Sequence, residues 1–266
     1  YTRTESKQTD ILWNPPSPWN DIYYYNSAVL SFDGGETWEK ITKGLPGSNM
    51  GKIGLAISPQ KPDVIYAAIE LDRRTGAVYR STDRGSSWKK QSEAVSGATG
   101  PHYYQELYAS PHQFDKIYLA DVRVQVSDDG GKTFIRMKEE KKHSDNHVIV
   151  FREDDPNYLL VGTDGGIYES FDDTKNWRYI ANLPLTQFYK LALDDSEPFY
   201  FIYGGTQDNS TQRGPSRTLN HHGIRNSDWS VVLGGDGHQP ATEPGNPDIV
   251  YAQSQEGYLH RLDMST

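Results

Sequence analysis

Ser31-Phe-Asp-Gly-Gly-Glu-Thr-Trp38 returns as Ser81-Thr-Asp-Arg-Gly-Ser-Ser-Trp88, Ser127-Asp-Asp-Gly-Gly-Lys-Thr-Phe134 and Ser170-Phe-Asp-Asp-Thr-Lys-Asn-Trp177. The shared form is Ser-x-Asp-x-Gly-x-Ser/Thr-aromatic. An Asp carboxylate here accepts hydrogen bonds from backbone N–H groups just ahead of it and closes a tight turn. The Gly supplies the positive φ that such a turn needs. The terminal aromatic opens the next strand and can be buried. Asp33, Asp83, Asp129 and Asp172 are therefore read as structural turn locks.

The copies start at residues 31, 81, 127 and 170, so they recur after 50, 46 and 43 residues. Periods of this size mark propeller blades of four antiparallel strands. The second repeat divides cleanly into strands A to D: residues 52–57, 64–69 and 77–80, then the turn, then a strand from Trp88. Pro, Asn and Asp mark the A–B turns before Tyr66, Tyr118, Tyr158 and Tyr251. The expected fold is all-β, a propeller of about six blades that forms a closed ring or an arc of a larger one. Residues 1–27, rich in proline, are expected to be irregular, and residues 28–266 to form the propeller.

Composition narrows the function classes. Aromatics make up 12% of the chain, and 24 Gly and 15 Pro suit many short strands with tight turns. A net charge of −9 disfavours nucleic acid, which needs Lys/Arg stripes to displace counterions. The one basic cluster, Lys138, Lys141 and Lys142, alternates with Glu139 and Glu140 and is read as a solvated loop. No apolar run is long enough to insert into a membrane as a helix. With no cysteine, the fold owes nothing to disulfides. A start at Tyr1 and a stop straight after a strand-like run lead to the expectation of a piece of a longer protein.

In an up-and-down blade the A–B and C–D turns share one face, and the D–A and B–C loops share the other. The first set is short and repeated; the second varies, and variable loops on a rigid scaffold usually carry function. On that face the sequence places Tyr103, Tyr104, Asp145, His147, Asp164, Gln207, Asp208, Asn209, Asp236 and His238. Asp145, Asp164, Asp208 and Asp236 are candidate acid–base carboxylates. Tyr103, Tyr104, His147, Gln207, Asn209 and His238 are candidate ligand contacts. Each has a structural alternative: Asp164 and Asp208 as turn formers, His147 and the tyrosines as core or channel residues. Asp145 and His147 from one loop are a weak metal signal, and neither a metal nor another cofactor is expected.

The repeated boxes, with Gly162-Thr-Asp-Gly-Gly166, Gly204-Gly-Thr-Gln-Asp-Asn-Ser210, Gly214-Pro-Ser-Arg217 and Gly234-Gly-Asp-Gly237, resemble the bacterial Asp-box, or BNR-repeat, propellers of the sortilin type. The resemblance implies an extracellular or cell-surface protein that binds a protein, peptide or polysaccharide ligand without catalysis. Similarity to xyloglucanase-type propellers implies a second reading, an inverting glycoside hydrolase acting on β-glucan-like polymers with Asp164 as a catalytic carboxylate. A structural module among other domains or subunits of a surface assembly is a third. Sialidase is set aside, because the Phe-Arg-Ile-Pro segment and an arginine triad are missing.

Overall fold

The computed structural model describes residues 2–7, 25–31, 33, 35–47, 50–72, 75–94, 105–181, 183 and 185–265. The chain divides into two compact units, Tyr1–Ile180 and Ala181–Thr266. It is an all-β propeller built from antiparallel sheets, each strand pairing with its neighbours in sequence.

In the first unit, blade 1 contains β1 (Thr2–Lys7), β2 (Tyr25–Leu30) and β3 (Glu39–Lys40). Blade 2 is β4 (Ile53–Ile57), β5 (Ile65–Asp72), β6 (Thr75–Ser81) and β7 (Lys89–Ser92). Blade 3 is β8 (Glu106–Ala109), β9 (Ile117–Ala120), β10 (Gln125–Ser127) and β11 (Ile135–Arg136). Blade 4 is β12 (Asn146–Phe151), β13 (Leu159–Thr163), β14 (Gly166–Ser170) and β15 (Arg178–Tyr179).

In the second unit, blade 5 is β16 (Leu191–Leu193), β17 (Phe201–Gly205), β18 (Thr211–Pro215) and β19 (Ser230–Leu233). Blade 6 is β20 (Ala241–Glu243), β21 (Asn246–Gln253) and β22 (Leu259–Asp263).

The second strand of each blade explains how the blades of the first unit stack. Side chains alternate across a strand. On β5, Ile65, Ala67 and Ile69 enter one core with Leu30 and Trp88, while Tyr66 and Ala68 enter the next with Leu107, Ile117 and Leu119. On β9 the same division sends Ile117 and Leu119 one way and Tyr118 and Ala120 the other, against Ile149 and Val161. These strands carry nearly continuous apolar runs because both faces are covered.

The four repeated turns share one hydrogen-bond scheme. In the second, Ser81 Oγ donates to Asp83 Oδ1 at 2.8 Å and accepts the Gly85 N–H at 2.8 Å. Asp83 then accepts the Ser87 N–H at 2.8 Å and its hydroxyl at 2.5 Å. Trp88 Nε1 closes on the Gly85 carbonyl at 2.9 Å. The fourth copy keeps the scheme with Thr174 at the glycine position, at a φ of 70°. Its Trp177 Nε1 reaches across to the Lys138 carbonyl at 3.0 Å instead.

Two sequence expectations change. Within the stretch read as irregular, Thr2–Lys7 is a strand: it pairs antiparallel with Tyr25–Leu30, whose backbone groups need a partner. The Lys138–Lys142 cluster is not a wholly solvated loop. Glu139 and Lys142 are buried and paired at 2.8 Å, and the Lys142 ammonium lies over the Trp177 ring, 5.4 Å from its centroid. Among the described residues no helix is long and apolar enough to cross a membrane.

Candidate functional site

In the first unit the site is built where the D–A loop enters β12. Asn146 is its anchor: its Nδ2 donates to the carbonyls of Asp121 and Val122 at 2.9 and 3.1 Å and to Glu139 Oε1 at 3.1 Å. Its Oδ1 accepts from Lys142 Nζ at 2.5 Å. Burial holds the Lys142 ammonium below its ordinary pKa, with Glu139 acting in the opposite direction. A fully satisfied buried network of this kind fixes the loop rigidly.

That anchor presents the two residues on either side of it. His147 Nε2 donates to Asp164 Oδ1 at 2.7 Å, and the Asp164 N–H donates to the Asp145 carbonyl at 3.1 Å. Asp145, His147 and Asp164 are thus brought together, as their loop assignments predict. Asp145 Oδ2 accepts the Ser144 hydroxyl at 2.5 Å. Gly165 has no room for a side chain, since a Cβ there would stand 2.5 Å from the His143 ring. Tyr168 on β14 and Tyr179 on β15 form a cross-strand pair at a centroid distance of 5.2 Å, and burial pushes the Tyr168 hydroxyl up.

The second unit assembles its own set. The Asp208 N–H donates to Asp236 Oδ1 at 2.9 Å, and the Gly237 N–H to the Thr206 carbonyl at 2.8 Å. These bonds tie the B–C loop to the D–A loop. A Cβ on Gly205 would stand 2.5 Å from the backbone N and O of His238, so the two glycine-rich segments touch backbone to backbone. Asn209 fixes the loop with its backbone groups, donating to the Gln207 carbonyl at 2.7 Å and accepting from Gln212 Nε2 at 2.8 Å. Gln207 Oε1 accepts the Tyr189 hydroxyl, and the Tyr189 ring faces His238 at 5.2 Å.

Tyr189 is the candidate that the loop reading missed, because it precedes the short strand β16. Alternation with Phe188 is the signal that finds it. Phe188 packs against Gly204 and stacks on Trp229 at 5.7 Å, which leaves Tyr189 half exposed beside Gln207. Tyr103 and Tyr104 lie outside the described residues. Among the described residues no group of three potential metal ligands gathers.

No protein-family model matches the chain. Among curated proteins it is similar to the oligoxyloglucan-reducing end-specific xyloglucanase of Emericella nidulans, 24% identical over 149 residues, or 51% of this chain and 18% of the relative. Among solved structures it is similar to the GH74 xyloglucanase of Xanthomonas campestris, with TM-score 0.48 and 16% identity, covering 91% of this chain and 42% of that one. YCF48 from Cyanidioschyzon merolae is another, with TM-score 0.37 and 12% identity, covering 83% of this chain and 69% of that one. The chain therefore spans less than half the length of the xyloglucanases it matches.

Proposed function

We propose that this chain is a secreted or cell-surface Asp-box propeller that binds a polysaccharide through its D–A and B–C loops without cleaving it. The observation that carries the reading is the Tyr189 platform. Tyr189 is 46% exposed, its ring faces the His238 imidazole and its hydroxyl is held by Gln207. An aromatic face beside amide and imidazole groups suits a sugar ring, which offers apolar C–H faces and hydroxyl edges. The candidate carboxylates are each engaged within their own unit: Asp236 by the Asp208 N–H in the second, Asp145 by Ser144 and Asp164 by His147 in the first. Calorimetry against xyloglucan and mixed-linkage β-glucan oligosaccharides tests this. Binding that falls about tenfold with Tyr189→Ala supports it. Absence of binding to every β-glucan, with retained binding to a peptide library, sinks it.

The similarity to a xyloglucanase over 149 residues favours one second reading, an inverting hydrolase that uses Asp164. Such chemistry needs a partner carboxylate roughly 6.5–9.5 Å away, with a water between. Release of reducing ends from xyloglucan, abolished by Asp164→Asn, would replace the binding reading with this one.

A further inference from the structure

The face of the first unit opposite these loops holds a cleft of about 590 Å³, within the size range of small-ligand sites. It lies between the A–B turn of blade 2, the Ser81 turn and the A–B turn of blade 3. Its walls include Lys61, Pro62, Asp63, Arg80, Arg84 and Phe114.

Two of the three cations are answered within the fold. Arg80 Nη2 lies 2.9 Å from Asp115 Oδ1, and Arg84 Nε lies 2.5 Å from Asp63 Oδ1. Lys61 is not: among the described residues no carboxylate comes within 4.0 Å of its ammonium. It rests instead over the Phe114 ring, 4.2 Å from the centroid, and the Arg80 guanidinium lies over the same ring at 5.6 Å. The ring quadrupole holds the Lys61 ammonium at the cleft wall without neutralising it, whereas the Arg80 charge is already met by Asp115. The result is a locally positive, ligand-sized cleft on a chain of net charge −9.

We propose that this cleft binds a carboxylate anion carried on a compact organic body, with Lys61 as the charge partner and the Phe114 ring as its support. A carboxylate accepts directly from an ammonium, and the Thr82 hydroxyl at the wall offers a further donor. The site is independent of the polysaccharide reading, because no residue of the loop face lines it.

NMR titration of the intact chain distinguishes the sources. Glucuronate represents a sugar acid and N-acetylglycine a peptide carboxylate; glucose and N-acetylglycinamide are their neutral controls, and inorganic phosphate tests the anion class. The expected result is a saturable shift of Lys61, Thr82 and Phe114 resonances with one of the carboxylates and none with its neutral control. Lys61→Gln weakens it about fivefold or more. Phe114→Leu weakens it in the same direction, and Tyr189→Ala leaves it unchanged. Equal shifts from the neutral compounds, tighter binding of phosphate, no saturation, or indifference to Lys61→Gln would each overturn the assignment.

Discussion

His147 Nε2 and Asp164 Oδ1 meet at 2.7 Å, joining the first strand of blade 4 to the loop between its second and third strands. Both side chains are more than a third exposed, at 36% and 39%. Exposed pairs of this kind contribute little to stability, about 0–1 kcal/mol. Asp164→Asn should therefore lower the thermal midpoint only slightly, while changing ligand affinity if the pair faces the polysaccharide. Parallel calorimetry and thermal unfolding on one protein preparation check this. A large loss of stability would assign the pair to the scaffold instead.

The turn carboxylates answer to pH in a defined direction. Desolvation pushes the Asp129 carboxyl up, but hydrogen bonds from Thr133, Ser127 and the Lys132 N–H outweigh it and hold the group at about 2, against an ordinary 3.8. Asp33 is held lower still, chiefly by the Thr37 hydroxyl, and Asp83 is lowered chiefly by the Ser87 hydroxyl. With folded values below unfolded ones, the stabilisation is complete above the ordinary value. It is lost as pH falls from there through the folded value. Urea unfolding followed down to about pH 2 should show the loss, and Asp129→Ala should remove its share of the slope. At neutral pH that variant should cost about 1–2 kcal/mol, as for a lost capping acceptor, with ligand specificity intact.

The difference between what was legible and what was not is one of range in the chain. Ser81, Asp83, Gly85 and Ser87 bond to one another across two to four positions, so their pattern repeats as a readable string. Alternation likewise exposes the two-sided strand β5. Links between blades leave no such string. Gln60 Nε2 donates to the Ser110 carbonyl at 3.0 Å, and His112 Nε2 to the Arg152 carbonyl at 2.7 Å, as successive staples between neighbouring blades. For Lys142 the polar partners Glu139 and Asn146 are close in sequence, but the ring over its ammonium is not. Its cover, Trp177, lies a whole blade further along the chain. The loop assignments did bring Asp145 beside Asp164 and Asp208 beside Asp236, since topology alone dictates which loops share a face.

Gly205 sets the geometry of the second unit's site. A methyl group there would meet backbone atoms of Gly237 and His238, which cannot rotate out of the way. Gly205→Ala should separate the two loops, break the Gly237 N–H bond to Thr206 and move His238 off Tyr189. The expected outcome is a destabilisation of about 1–3 kcal/mol with loss of the proposed polysaccharide binding. Amide exchange localised to residues 205–211 and 234–238 would report it. Unchanged exchange there would mean that the loops hold together by other means.

The sharpest energetic test lies in the Glu139–Lys142 pair, whose side chains are 2% and 0% exposed. Lys142→Met leaves the Glu139 carboxylate buried without its cation, and such half-removed pairs cost about 3–5 kcal/mol. It also strips Asn146 Oδ1 of its ammonium donor, so the loop that presents Asp145 and His147 should loosen. Replacing both partners, as Glu139→Leu with Lys142→Met, removes the unpaired charge and should recover part of the stability. The Asn146 contacts that orient His147 should stay weakened even then. Denaturant unfolding of the two single variants and the double variant measures the coupling. If the loss in the double variant equals the sum of the two single losses, the pair does not act as a unit and Asn146 alone holds the loop.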